Sequence, residues 1–408
     1  METSLNDASA PPAPAPAHAK DSRLYWLDNL RIALIVLVVA HHAAQAYGPT
    51  DWWYVEGEPR SGALATLSAL DGTFFMSLFF LIAAYFVPTS YDRRGGWPFV
   101  GGRLLRLGVP LSVGALTLVP GLMYAYYVHY RGYPDISFAR YFTEVYLGMG
   151  ERPGDWSGPS WPDLQFGHLW FIQNLLAYSL LYALCRQVAR LAGSRHAASV
   201  PPTHPTWVPG HGALVGLTVA LAGVTFLVRV RYPLDTWVPF LGFLQVEPAR
   251  IPQHAAFFTL GILARRGDWL NRLPVRVGWT WLASGLLGAA FVFTVGADAS
   301  FFGAGGSNGA SMLWSALDSF LCIALCTGLL VLFREKARRT SRLTRALAAD
   351  SFAVYVIHAP IVVALQFAFA HRGLTALESF ALVTSIAVPV SFGTAGILRR
   401  IPGFRRVL

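Results

Sequence analysis

Charge and cysteine are both scarce in this 408-residue chain. Asp, Glu, Lys and Arg make up only 13% of it, where a soluble globular protein carries about 25%. That shortage excludes a water-facing surface of ordinary size. Cys185, Cys322 and Cys326 are the only cysteines, and all lie in apolar stretches, which excludes a disulfide framework. Cys322 and Cys326 share a helix face, but neither His nor further Cys stands near them in sequence. They read as small packing residues, and no metal site is expected. The formal net charge of +10 is split into short clusters between apolar runs, which argues against a nucleic-acid partner and for orientation in a membrane. Residues 1–23 are Pro/Ala-rich with no basic segment ahead of an apolar core, so they read as a disordered cytoplasmic tail rather than a signal peptide.

Apolar length is what the chain has in abundance. Hydrophobic residues form 54% of it, and the mean hydropathy is +0.45. The 13 Trp, 16 Tyr and 27 Phe suit helix ends placed at lipid headgroups. A helix needs about 20 mostly apolar residues to cross roughly 30 Å of hydrocarbon. About ten segments qualify: 28–47, 64–87, 107–128, 168–188, 211–229, 251–264, 278–296, 311–333, 351–370 and 377–398. The sixth is short, and is expected to be re-entrant or to extend outward through 237–244. The fold class is therefore all-α and polytopic.

Basic residues fix the orientation, because Lys and Arg accumulate in cytoplasmic loops. An N-in, C-in arrangement puts Lys20, Arg23 and Arg31, then Arg93, Arg94, Arg103 and Arg106, and every later basic cluster up to Arg405 and Arg406 on one side. Only Arg60, Arg131, Arg140, Arg152, Arg229, Arg231, Arg250 and Arg372 fall on the other. The domain is expected at 24–400, in the inner (plasma) membrane, with a cytoplasmic tail at 401–408. Its long outer connection, 129–167, is rich in Trp, Pro and acids and suits a substrate-facing role.

Titratable side chains inside hydrocarbon are costly and are functional candidates by default. On the first helix, Arg31 and His42 are 11 residues apart, which brings them to nearly one face about 16 Å apart along the axis. His41 is rotated by about 100° to another face. Asp71 on the second helix and Asp318 on the eighth enter at depths that meet His42, and either carboxylate suits orienting its imidazole; both also suit helix-to-helix hydrogen bonding. Arg103 and Arg106 open the third helix at i, i+3, a spacing that suits a grip on phosphates and that topology alone also produces. His168, in His168-Leu-Trp-Phe171, stands at the outer entrance of the fourth span. Tyr355 and His358 share a face of the ninth.

Together these residues resemble a known family. Trp26-Leu-Asp-Asn-Leu-Arg31, followed after ten residues by His42, is similar to the Arg-x10-His pattern of the membrane-bound acyltransferase-3 family. Arg103-x-x-Arg106 resembles its second signature. The His168-Leu-Trp-Phe171 and Ser351–His358 segments resemble further blocks, the former especially in the glucan-modifying, succinyltransferase-type branch. The chain departs at Ala83-Ala84, where many members carry Ser-Gly, and in doubling the histidine as His41-His42; the spacing selects His42. The resemblance implies an enzyme that moves an acyl group from cytoplasmic acyl-CoA, a co-substrate rather than a bound cofactor, to a hydroxyl of an extracytoplasmic carbohydrate. His42 would be the general base, with Asp71 or Asp318 orienting it. Arg31, Arg103 and Arg106 would hold the CoA, and His168, Tyr355 and His358 the substrate. A transient acyl-imidazole is a variant. The alternative from the residues alone is a proton-coupled transporter or flippase using the intramembrane His and Asp residues. A scaffold without catalysis leaves the buried polar set unexplained.

Overall fold

The computed structural model describes residues 24–48, 52–158, 160–193, 207–241, 244–295 and 304–407. The tail expected at 1–23 lies outside them. Its long helices are α1 (Tyr25–Gln45) and α2 (Gly62–Tyr85), the latter continuing into the short α3 (Val87–Arg94). Next come α4 (Gly96–Arg103), a π-helical turn (Leu104–Gly108) and α5 (Val109–Tyr130), which together form one rod. The long connection after it holds the single turn α6 (Phe138–Arg140) and a second π-helical turn (Tyr141–Tyr146). Then follow α7 (Trp170–Leu191), α8 (His211–Arg231), α9 (Ile251–Arg266), α10 (Trp269–Arg272), α11 (Val275–Val295), α12 (Gly309–Lys336), α13 (Arg342–Phe369), α14 (Ala376–Leu398) and α15 (Pro402–Val407).

Among the described residues, nine helical rods are long and apolar enough to cross a bilayer. The remaining expected span, the sixth, is α9, which has 16 residues. At 1.5 Å per residue it covers about 24 Å, less than the roughly 30 Å of hydrocarbon. The segment before it does not prolong the helix outward. It folds instead into an antiparallel hairpin, β1 (Val238–Phe240) with β2 (Leu244–Val246), in which Pro239 faces Gln245. The tail expected at 401–408 likewise has structure, since α15 occupies most of it.

Local sequence explains where the later helices start. Asn308 caps α12 by accepting from the Ser311 amide at 2.8 Å. Ser341 with Thr344, and Thr375 with Glu378, form reciprocal capping boxes at α13 and α14. Pro120, Pro360 and Pro389 lie inside helices, which packed neighbours allow in a membrane domain.

The packing is that of a bundle bathed in lipid. α12 is among the most enclosed rods, with buried residues spread from Ser311 to Arg334 and contacts to α1, α2, α8 and α11. α8 by contrast presents Val215, Val219, Val224 and Leu227 outward. Helix faces meet closely where glycine removes the side chain. A Cβ on Gly261 of α9 would stand 2.3 Å from the Leu81 carbonyl oxygen of α2. Backbone atoms cannot yield as a side-chain tip can. Gly261→Ala is therefore expected to cost about 1–3 kcal/mol through overpacking, read as a lower thermal midpoint in detergent. An unchanged midpoint would contradict this close approach.

The basic loops collect at one end of the bundle. Asn29 Nδ2 donates to the Ala337 and Arg339 carbonyls at 2.7 and 2.9 Å, joining the start of α1 to the α12–α13 turn. Arg334 donates to the carbonyls of Leu270, Asn271 and Leu273. Arg186 pairs with Asp92, and Arg399 with Asp350. At the opposite end the long connection 129–167 folds down onto α5. There Asp163, fully buried, accepts from Arg131 at 2.9 Å and from the Tyr141 hydroxyl at 2.7 Å. Burial pushes its carboxyl up to about 6 despite the adjacent guanidinium.

Candidate active site

Three histidines from three distant segments converge. His42, near the end of α1, places Nδ1 2.8 Å from Nε2 of His358 on α13. The His168 and His358 rings lie 5.3 Å apart between centroids, edge to face. Gly167, at φ +48°, makes the turn that delivers His168. A Cβ there would come within 2.3 Å of the Tyr54 hydroxyl. The Tyr355 hydroxyl donates to the His168 carbonyl, and His168 Nε2 donates to the Val356 carbonyl at 3.0 Å, so loop and α13 hold each other.

Carbonyl oxygens only accept, and this fixes the tautomers. His358 Nδ1 lies 2.8 Å from the Tyr355 carbonyl and 3.2 Å from that of Val354, so it carries the proton. In the neutral ring Nε2 is then an acceptor, and it faces His42 Nδ1. His42 Nδ1 also lies 3.1 Å from the Val38 carbonyl. Both neighbours require Nδ1 of His42 to be the donor, which leaves Nε2 with the lone pair. A base nitrogen is thereby presented without any carboxylate.

The surroundings hold His42 in place. Its ring stacks on Trp53, 5.0 Å between centroids and 21° between planes. Trp53 Nε1 donates to Gln366 Oε1 at 2.9 Å, and Gln366 Nε2 donates to the backbone carbonyls of His42 and Ala43. Neither Trp53 nor Gln366 was legible as part of a site, since tryptophan at a helix end reads as a headgroup anchor.

The two carboxylates go elsewhere. Asp71 Oδ1 lies 2.8 Å from His41 Nδ1, and His41 Nε2 accepts from Gln45 Nε2 at 2.8 Å. The rotation of about 100° between successive helix residues turns His41, not His42, toward α2. Asp318 is fully buried and pairs with Arg229, itself fully buried, and with Arg250 at 3.2 Å. Two guanidiniums claim a carboxylate that cannot stand alone in hydrocarbon. Asp318 thus ties α8 and the start of α9 to α12, and neither acid orients His42. Arg229 and Arg250, assigned by topology to outer helix ends, belong to this buried network.

The expected donor arginines also separate. Arg31 pairs with Asp28 at 3.4 Å. Arg103 lies over the Phe99 ring at 5.0 Å. Arg106 alone of the three lines a cleft of about 670 Å³ at the basic end. The π-helical turn at Leu104–Gly108, bonded i→i+5, breaks the register on which a shared Arg103–Arg106 face depends. Among the described residues no group of His, Cys, Asp and Glu has the form of a metal site.

Against this geometry, a family model described as an acyltransferase domain, the third of that name, matches residues 24–399. Comparison with curated proteins and with solved structures gives no match.

Proposed function

Because the chain belongs to the acyltransferase-3 family, a multi-pass membrane acyltransferase by its sequence and its helices, we propose that it moves an acyl group from cytoplasmic acyl-CoA to a carbohydrate hydroxyl outside the inner membrane. The observation that carries this reading is the His42–His358 contact, which leaves His42 Nε2 as a lone-pair base deep in the bundle. The orientation is the one the Lys and Arg distribution favours, with the basic end in the cytoplasm.

In this mechanism the acceptor hydroxyl gives its proton to His42 Nε2 as its oxygen attacks the thioester carbonyl. Collapse of the tetrahedral intermediate breaks the carbon–sulfur bond. The proton on Nε2 then passes to the departing thiolate, and neutral His42 is restored. During the step the imidazolium is stabilised through its Nδ1–H bond to His358 Nε2. His358 takes the orienting part that Asp71 or Asp318 was expected to play. His168 and Tyr355, locked to each other and to the α13 backbone, form the wall against which the acceptor is placed.

Mass spectrometry of surface glycans from cells with and without the protein tests this reading. An acyl modification present only with the protein is expected, and its mass identifies the group transferred. Identical glycans in both cells, with transfer to an intracellular acceptor instead, would overturn the proposed acceptor.

A further inference from the structure

Five guanidiniums meet at the basic end, and among the described residues no carboxylate lines the cleft with them. Arg94, Arg106, Arg400, Arg405 and Arg406 line the cleft of about 670 Å³. Two acids on the same helices or their neighbours are engaged elsewhere, Asp92 with Arg186 and Asp350 with Arg399. Among the described residues, none of the five side chains makes an ion pair. Like charges gathered this way repel one another, and an anion relieves that repulsion.

The chain builds the cluster from two ends nearly 300 residues apart in sequence. Arg399 is fixed to Asp350 at 2.5 Å, which ends α14 in a set position. The backbone then turns, Pro402 opens α15, and α15 packs back on the π-helical turn that carries Arg106. Gly102, also lining the cleft, gives Arg94 its place: a Cβ there would stand 2.7 Å from Arg94 Nη1. A single phosphate carries only about two charges, too few for five arginines. A ribose 3′-phosphate together with a diphosphate matches them better.

We propose that α15 is a clamp that holds the phosphates at the nucleotide end of the CoA donor, with Arg405 and Arg406 reading the 3′-phosphate. This rests on the donor assignment above and extends it to residues outside the motifs that suggested it. Arginine suits the task because its fork meets phosphate oxygens in pairs. The same phosphate chemistry is available from anionic lipid headgroups, and Ile401 and Phe404 are exposed beside the arginines, so the test separates the two sources.

The full chain, purified in detergent, is titrated with CoA and with dephospho-CoA, which lacks the 3′-phosphate. Wild type is expected to bind CoA at least about tenfold more tightly than dephospho-CoA. The Arg405→Gln/Arg406→Gln double variant is expected to lose that preference, and Arg405→Lys/Arg406→Lys to keep part of it, all three with similar melting midpoints. An unchanged preference in the Gln variant, or none in wild type, overturns the clamp while leaving the donor assignment standing. Failure of wild type to bind either nucleotide overturns the donor assignment itself. If the Gln variant keeps its CoA preference but loses retention on phosphatidylglycerol vesicles relative to phosphatidylcholine, the cleft belongs to lipid.

Discussion

His42→Ala is expected to lower kcat/KM for acyl transfer by about 10²–10⁴-fold, the range attributable to a positioned general base. The substitution removes Nε2, the nitrogen of His42 whose lone pair stays open once Nδ1 is committed to Val38 and His358. Folding is expected to survive. The helix backbone around residue 42 is held independently by Gln366, which bonds the carbonyls of His42 and Ala43. The cavity left beside Trp53 has the size and flatness of an imidazole, so added imidazole is expected to restore part of the activity. Activity near wild type in a folded His42→Ala protein would remove the base assignment.

His358→Phe is the second large effect, expected to reduce kcat by about 10–10²-fold with little change in KM. His358 does not reach the reacting atoms in this scheme. It receives the Nδ1 proton of His42 and stabilises the imidazolium. The Val38 carbonyl still holds the tautomer in the variant, so the loss is smaller than for His42→Ala. His358→Gln, whose amide oxygen can accept the same hydrogen bond, is expected to recover much of the rate. A purely structural role would show instead as equal damage from both substitutions and a lowered melting midpoint.

Much of the architecture is written in local sequence. Ten apolar stretches and the Lys and Arg clusters between them are one-dimensional signals, set by hydrocarbon thickness and by charge asymmetry. The Asn29 bonds to Ala337 and Arg339 show the same clusters meeting at one end. Helix α9 is the exception: the apolar residues before it, 237–244, look continuous with it, but Pro239 and the residues at the strand pairing make a hairpin there. The site was legible only one helix at a time. His42 could be chosen over His41 by counting from Arg31, but its partner lies 316 residues away, and nothing in either helix alone announces that contact. Asp71 was assigned to His42 because both lie at similar depth. Depth is readable from sequence, whereas the facing of α1 against α2 is set by packing, and it delivers His41. Arg229 gave a signal that was missed: an arginine closing an apolar helix, with Asp318 mid-span elsewhere, calls for a buried pair. The C-terminal arginines were hidden for the opposite reason. Basic residues after a last span are fully explained by topology, and only the return of α15 onto the Leu104–Gly108 turn gives them a shared cleft.

Vesicles reconstituted with the purified protein, loaded inside with acyl-labelled acetyl-CoA or succinyl-CoA and bathed outside in a glucan oligosaccharide, separate donor from acceptor by the bilayer. Label is predicted to appear covalently on the external oligosaccharide with wild-type protein, with free CoA left inside, and to be absent with His42→Ala. Equal labelling by His42→Ala, or escape of intact acyl-CoA to the outside without transfer, would contradict acyl transfer through the bundle with His42 as its base.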